Sequence, residues 1–264
     1  MFNTIFDFLL DKTKSFFTYV SLDDLLNFAF GIPAVIIALV VHEFAHGFVA
    51  NKLGDHTAKE QGRVSLNPFR HLDPIGALCL FLFKFGWAKP VPMNPDRFKN
   101  KRVGVILTAL AGPLANIIMF FIFIFIEAAL NFFQYFSLYI APVLDMNPPH
   151  IYILYINVIV AFFCEIIAGY NLTLALFNLI PMFPLDGSRV LMMAFPRKIQ
   201  KPIIRYEKFI ALGFIILLII DNFTTKFVYG TINLVYNLFA HWLVEVPVNY
   251  IINKLVALIF LVNL

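Results

Sequence analysis

Two histidines and a glutamate lie close together at residues 42–46, whose sequence is His-Glu-Phe-Ala-His. Residues four apart on a helix project from the same face, so the rings of His42 and His46 can reach one metal ion. Glu43 is placed to take a proton from a water molecule that the metal activates. This spacing is typical of zinc metallopeptidases, whose catalytic metal has three protein ligands and one open position.

The histidine pair lies inside an apolar stretch. Residues 28–41 carry no charged side chain, and the next charge after the motif is Lys52. Over the whole chain, 61% of residues are hydrophobic and 14% are charged, compared with roughly 45–50% and about 25% in soluble domains. Ionisable groups at membrane depth are costly and therefore mark functional sites by default. The sequence thus predicts a protease that cuts within the membrane.

Apolar segments long enough to cross a bilayer as a helix, about 20 residues, recur along the chain. They are residues 28–51, 103–133, 151–180 and 203–220, and the apolar tail 227–264 has room for one or two more. We therefore predict an all-α, multi-pass bundle of about six transmembrane helices. The predicted domains are an amphipathic or membrane-associated segment 1–29, a core metalloprotease membrane domain 30–193, and C-terminal transmembrane or interfacial helices 194–264.

Positive charge is distributed unevenly among the connections. Of the 20 Lys and Arg residues, ten lie in residues 52–102 and six in residues 189–208, whereas residues 131–150 have none. By the positive-inside rule, the first two stretches face the cytoplasm and the third faces outward, as expected in a bacterial-type cell membrane. His46 lies six residues before Lys52, about 9 Å along a helix. The metal site is therefore predicted within the bilayer near its cytoplasmic side, and we predict no nucleic-acid partner.

A third metal ligand must come from another part of the chain. The candidates are the remaining histidines and acidic residues that include His56, His71, His150, His241, Asp55, Glu60, Asp73, Asp96, Glu127, Glu165 and Asp186. Asp186 is favoured by context, since it follows two prolines at the end of an apolar span and precedes Gly187. Prolines break the helix and glycine permits a sharp turn, so the chain can bend this carboxylate inward. An equally weighted alternative is that Asp186 caps a short helix over residues 188–194.

Two asparagines, Asn116 and Asn178, lie in otherwise apolar spans, where an amide must find hydrogen-bond partners. Two roles are open for each. The amide could bind the substrate backbone or the developing oxyanion, or it could join neighbouring helices.

Three segments together resemble the site-2 protease family of intramembrane zinc metalloproteases. They are HEFAH at 42–46, GPLAN at 112–116, which is similar to the family's G-P-x-x-N, and NLIPMFPLDG at 178–187, which matches N-x-x-P-x-x-P-x-D-G. They occur in the family's order on three apolar segments, and the likeness covers about residues 33–193. The resemblance implies one zinc ion per chain, bound by His42, His46 and Asp186, with Glu43 as the catalytic acid and base. No insertion is long enough for a PDZ or CBS domain, so the chain resembles a minimal member.

The resemblance also implies a small membrane-associated β hairpin or sheet between the first and second core spans. Residues 62–68 and 89–95 both end in Asn-Pro, and proline disfavours helix and keeps the preceding residue extended. Residues 75–85 between them would be re-entrant or lie on the membrane surface, and an exposed strand edge could receive an unwound substrate. An ordinary cytoplasmic loop is an equally weighted alternative.

The predicted function is that of a zinc-dependent intramembrane endopeptidase, which cleaves transmembrane segments of membrane proteins as in regulated intramembrane proteolysis. Its partners would be a transmembrane protein substrate and the lipid bilayer, and the sequence does not fix the oligomeric state. The alternative is a non-catalytic membrane metal carrier or scaffold. Transporters often contain internal repeats; the chain shows none, and Glu43 would have no role in a carrier.

Overall fold

The described part of the protein is helical. A computed structural model describes residues 22–74, 76, 88–140 and 151–220. Its helices are α1 (Leu22–Lys52), the single turn α2 (Thr57–Glu60), α3 (Lys101–Tyr135), α4 (Ile151–Leu179), α5 (Asp186–Ala194) and α6 (Arg197–Ile220). Two 3₁₀ turns, Pro68–Arg70 and Pro95–Arg97, precede α3, and a π-helical turn, Phe136–Ile140, follows it. Most of the predicted N-terminal segment and the apolar tail lie outside the described residues.

Three of the described helices are long and apolar enough to cross a membrane, namely Phe28–Lys52, Lys101–Leu138 and Tyr152–Leu179. They correspond to the first three predicted spans, so the prediction of a helical membrane protein is confirmed. The fourth predicted span coincides with α6, which carries Arg205, Glu207 and Lys208 and is not one of these three helices. The predicted total of about six spans also depends on residues outside the described ranges.

Helix α3 packs against both α1 and α4, and α1 also packs against α4. Small side chains such as Ala34 and Ala38 are fully buried in α1, which lets neighbouring helices approach closely, as is typical of membrane bundles. Phe120 and Ile124 of α3 form a buried cluster with Ala168 and Leu172 of α4. The outer faces of α3 and α4 instead expose large apolar side chains, an arrangement suited to contact with lipid.

The connection between α1 and α3 consists of capped turns. Asn67 and Asn94 each accept a hydrogen bond from a backbone N–H two residues ahead, and each is followed by a proline at the first position of its 3₁₀ turn. This is the usual position for proline, because the N–H that it lacks would have no partner there. The Asn-Pro pairs therefore start turns instead of ending strands.

The predicted β hairpin is not observed in the described residues of this connection, which contain no β-strand. Pairing there is limited to one antiparallel bridge between Leu72 and Ala88. The physical reason is that Pro90 and Pro92 remove two of the amide donors that a ladder would need. Residue 75 and residues 77–87 lie outside the described part, so the re-entrant placement of this stretch stays a prediction.

Candidate metal centre

Three side chains from distant parts of the sequence meet at one point. Oδ2 of Asp186 lies 3.0 Å from Nε2 of His42 and 3.0 Å from Nε2 of His46. Among the described residues, these three form the group of possible metal ligands whose ligand atoms lie within 4.8 Å of one another. Both histidines are buried, and the Asp186 side chain is 15% exposed. The cluster thus has one face open to a cavity.

The two histidines share this point because α1 is continuous through residues 42–46, which places both rings on one face. Asp186 lies beside the histidines because α4 ends at Leu179 and a series of turns leads from there to α5, which begins at Asp186. Gly187 permits this path, because a Cβ there would lie 2.4 Å from the carbonyl oxygen of Leu179. Asp186 is the first residue of α5, but Leu185 is the N-cap and makes no side-chain cap bond. The Asp186 carboxylate instead faces the histidines.

Main-chain carbonyls orient a buried chain of amides that ends at His42. Nδ2 of Asn171 donates to the carbonyl of Ile167 at 2.8 Å, and Nδ2 of Asn116 donates to the carbonyl of Ala38 at 3.1 Å. Nδ2 of Asn116 also donates to Oδ1 of Asn171 at 2.7 Å. Since carbonyl oxygens only accept, Oδ1 of Asn116 is left to accept from Nδ1 of His42 at 2.7 Å.

The same proton placement holds at His46, whose Nδ1 donates to the carbonyl oxygen of Thr108 at 2.6 Å. When both neutral rings carry their hydrogen on Nδ1, both Nε2 atoms have a lone pair, and both lone pairs point at a carboxylate oxygen. Such lone pairs repel one another unless a cation lies between them. Two imidazole nitrogens and one carboxylate oxygen are also a common ligand set of catalytic zinc. The donor set therefore fits a zinc ion.

A glycine on α3 leaves room beside the two histidine nitrogens. A Cβ added at Gly112 would lie 2.5 Å from Nε2 of His46 and 2.6 Å from Nε2 of His42. Both distances are far below van der Waals contact, so any larger residue would displace the rings. Gly112 thus keeps free the space in which the two nitrogens converge.

We expect Gly112→Ala to lower zinc affinity by about 10–100-fold, the range typical when the surroundings of metal ligands are altered. Affinity would be measured by competition with a chelating dye on the purified, folded protein. Gly169→Ala on α4 is the matched control, because a Cβ there meets nothing within 4 Å. Equal zinc affinity in Gly112→Ala and wild type would contradict the prediction.

The metal group lies on the wall of a cavity of about 550 Å³, lined by α1, α3, α4, α5, α6, Ala88 and residues 90–93. Glu43 lines this cavity, and its Oε2 accepts a hydrogen bond of 3.0 Å from the backbone N–H of Val91. Arg189 and Glu207 are charged residues in the same lining. The cavity therefore contains the metal group, a carboxylate beside it, and space for a peptide.

The two asparagines singled out in the sequence have different surroundings. Asn178 lines the cavity and donates to the carbonyl of Leu174 at 2.9 Å. Asn116 is fully buried, and both of its polar atoms are used within the amide chain. Sequence reasoning missed Asn171, although it carries the same signal as Asn116, an amide in an otherwise apolar span.

The other histidines considered as third ligands do not join the group in the described residues. Nδ1 of His56 contacts Oδ1 of Asn51 at 2.6 Å, and Nε2 of His71 donates to the carbonyl of Ser65 at 2.6 Å. His150 and His241 lie outside the described residues.

Comparisons with known proteins agree with this site. Residues 30–220 match the model of Peptidase family M50. The chain is 35% identical over 193 residues to "Putative zinc metalloprotease YwhC" of Bacillus subtilis, which covers 72% of this chain and 80% of that protein.

Shorter similarities extend to mycobacterial proteins. Two proteins named "Putative zinc metalloprotease Rip2" are similar over about a third of each chain. The protein of Mycolicibacterium smegmatis is 29% identical over 93 residues, which is 33% of this chain and 36% of that protein. The protein of Mycobacterium tuberculosis is 30% identical over 94 residues, which is 34% of this chain and 36% of that protein. No solved structure is significantly similar to the chain.

The family match covers most of the chain and includes every residue of the metal group. The apolar helices that carry the histidines are long enough to cross a bilayer. The chain therefore belongs to peptidase family M50, the site-2 protease family, and is a zinc metalloprotease of the membrane.

Proposed function

We propose that this protein is an intramembrane endopeptidase that hydrolyses peptide bonds within the transmembrane segments of other membrane proteins. The observation that carries the proposal is the position of His42, Glu43 and His46 on an apolar helix, facing a cavity large enough for a peptide. A peptidase site on such a helix is accessible to substrates that are themselves in the bilayer.

In this proposal His42, His46 and Asp186 are the protein ligands of the metal. A zinc ion held by these residues would act as a Lewis acid, which would polarise the scissile carbonyl and lower the pKa of the attacking water. The ring orientations follow from the hydrogen bonds of both Nδ1 atoms, so the ligand geometry is set before the metal binds.

Glu43 is the proposed general base and then the general acid. Its carboxylate takes a proton from the attacking water and passes it to the leaving amine. The contact with the Val91 N–H holds one carboxylate oxygen, leaving the other to face the water. The substrate helix must unwind locally, because helical hydrogen bonding and packing shield the carbonyl that is attacked.

The two asparagines have separate roles in the proposal. Asn178 lines the cavity and is placed to hydrogen-bond the substrate backbone or the oxyanion. Asn116 acts on His42 instead, since its amide oxygen accepts the His42 proton and thereby directs Nε2 toward Asp186.

We expect Asn116→Ala to lower zinc affinity by about 10–100-fold, as is usual when a partner of a metal-binding histidine is removed. The reason is that the His42 ring loses the acceptor that fixes its proton on Nδ1. Equilibrium competition with a chelating dye checks this, with Asn157→Ala as the control, because Asn157 is also a buried amide of this bundle. Unchanged affinity in Asn116→Ala would show that Asn116 does not orient His42.

We further propose a multi-pass protein of a bacterial-type cell membrane, with its active site near the cytoplasmic side. The supporting observation is the distribution of positive charge, since ten of the 20 Lys and Arg residues lie in residues 52–102 and none in 131–150. Residues 30–193 would form the metalloprotease core, with a membrane-associated segment 1–29 before it and transmembrane or interfacial helices at 194–264. These additional segments would bring the total to about six spans.

The proposal is tested with purified protein in lipid vesicles that contain labelled membrane-spanning peptides. We expect cleavage at bonds inside the apolar part of the peptide, located by mass spectrometry, with loss of activity on chelation and recovery on addition of zinc. Cleavage confined to the soluble flanks of these peptides would contradict an intramembrane mechanism. The protein would then still be a membrane-bound zinc peptidase.

A further inference from the structure

Ala88 and residues 90–93 line the cavity, and two buried charged side chains hold the segment that contains them, residues 88–95, in place. Arg63, which is 7% exposed, donates hydrogen bonds to the backbone carbonyls of Lys89 and Pro90. Asp55 is fully buried and accepts from the backbone N–H of Asn94 at 2.6 Å. The segment is therefore fixed near both of its ends.

Between these two attachments lies the contact with Glu43. Pro90 and Pro92 have no N–H, so Val91 supplies the single amide donor between Lys89 and Met93. That N–H donates to Oε2 of Glu43 at 3.0 Å. A shift of the segment would thus act directly on the carboxylate that is proposed to move protons.

The surroundings of Arg63 indicate a positioning role. The guanidinium donates to three main-chain carbonyls, those of Arg70, Lys89 and Pro90, and the ion pairs among the described residues do not include it. Burying a charge without a counter-charge is costly unless hydrogen bonds satisfy it. A guanidinium meets this requirement with a rigid fork of donors, which fixes several carbonyls relative to one another.

Asp55 complements this arrangement at the other end. Although burial raises the pKa of Asp55, its hydrogen bonds with Thr57 and Asn94 lower it below the ordinary value, so the carboxylate remains charged. It therefore makes strong, charge-assisted hydrogen bonds to the backbone.

We propose that Arg63 is a positioning residue of the proteolytic reaction, which holds residues 88–95 so that the Val91 N–H orients the Glu43 carboxylate. The inference rests on the proposed role of Glu43. Arg63 itself touches neither the metal ligands nor Glu43; it acts through the carbonyls of Lys89 and Pro90.

The test is Arg63→Gln in the full chain, in vesicles with a cleavable transmembrane peptide. We expect kcat to fall by about 100-fold, a loss typical of a misplacement near 1 Å in an active site, while KM and zinc content stay close to wild type. Arg102→Gln is the control, because Arg102 is an exposed arginine on α3, and it should cleave normally. Wild-type kcat in Arg63→Gln would overturn the inference.

A double-mutant cycle identifies the route by which Arg63 acts. Val91→Pro removes the N–H that Glu43 accepts, so combining it with Arg63→Gln should reduce kcat no further than the stronger single change. If the kcat losses of the two single variants multiply in the double variant, the inference is overturned.

Two further variants separate the remaining outcomes. Arg63→Lys keeps the charge without the planar fork and should give an intermediate kcat. If both Arg63 variants lose zinc or unfold, Arg63 is structural and the inference fails. If Glu43→Gln still cleaves, the proposed role of Glu43 fails, and this inference fails with it. Wild-type protein that cleaves no transmembrane peptide would instead contradict the proposed function.

Discussion

Glu43→Gln is expected to bind zinc as the wild type does and to lose about 10²–10⁴-fold or more in kcat, the usual contribution of general acid–base catalysis. Glutamine has nearly the same shape, and its amide oxygen can still accept from the Val91 N–H. It cannot take a proton from water at neutral pH. The measurement is zinc content together with cleavage of membrane-spanning peptides in vesicles.

The matched control for this variant is Glu207→Gln, since Glu207 lines the same cavity but has no contact with the metal group among the described residues. It should keep most of its activity and show that losing a negative charge from the cavity is not itself inactivating. Comparable cleavage by Glu43→Gln and wild type, at equal zinc content, would remove Glu43 from the mechanism.

Asp186→Ala is expected to lose most of its zinc. Structural sites with four ligands bind zinc with roughly 10–16 kcal/mol. One of the four ligands then contributes about 2.5–4 kcal/mol, or about 10²–10³-fold in affinity. Two histidines would remain, and cleavage should fall with zinc occupancy. Affinity measured by competition, and zinc content after dialysis against buffered metal, check the prediction.

Asp96→Ala serves as the comparison for Asp186→Ala, because Asp96 is exposed and paired with Lys101 at 2.6 Å. It should bind zinc normally. If Asp186→Ala kept full zinc affinity, the third ligand would have to come from a different residue, for example from outside the described part of the chain.

Local spacing was enough to predict much of the metal group. His42 and His46 are one helical turn apart, so their shared face follows from helix geometry alone. The approach of Asp186 was predicted from its prolines and glycine, but the residues left a helix-capping role equally open. Choosing between these depends on where α5 lies relative to α1, which local sequence does not determine.

Other features could not be predicted from the sequence because they depend on tertiary contacts. Arg63 and Asp55 resemble ordinary loop charges until the fold buries them against main-chain groups of residues 89–94. The sequence left two roles open for Asn116. In the fold, the NH₂ group of Asn116 donates to Asn171 on α4, so the amide oxygen of Asn116 faces His42. The family resemblance implied a β hairpin over the proline-containing segments, with an ordinary loop as an equal alternative, whereas the Asn side chains cap 3₁₀ turns there.

The metal group and its hydrogen-bond partners draw on four helices. His42 and His46 come from α1, Asp186 from α5, Asn116 and Thr108 from α3, and Asn171 from α4. By thermodynamic linkage, a metal that binds the assembled helices and not the separated ones stabilises the assembly, by about 4 kcal/mol at a thousand times its Kd. Helices in lipid lack the hydrophobic driving force that assembles soluble cores. A zinc ion held there would therefore also cross-link the bundle, so removing the metal should lower the stability of the assembled helices as well as the activity.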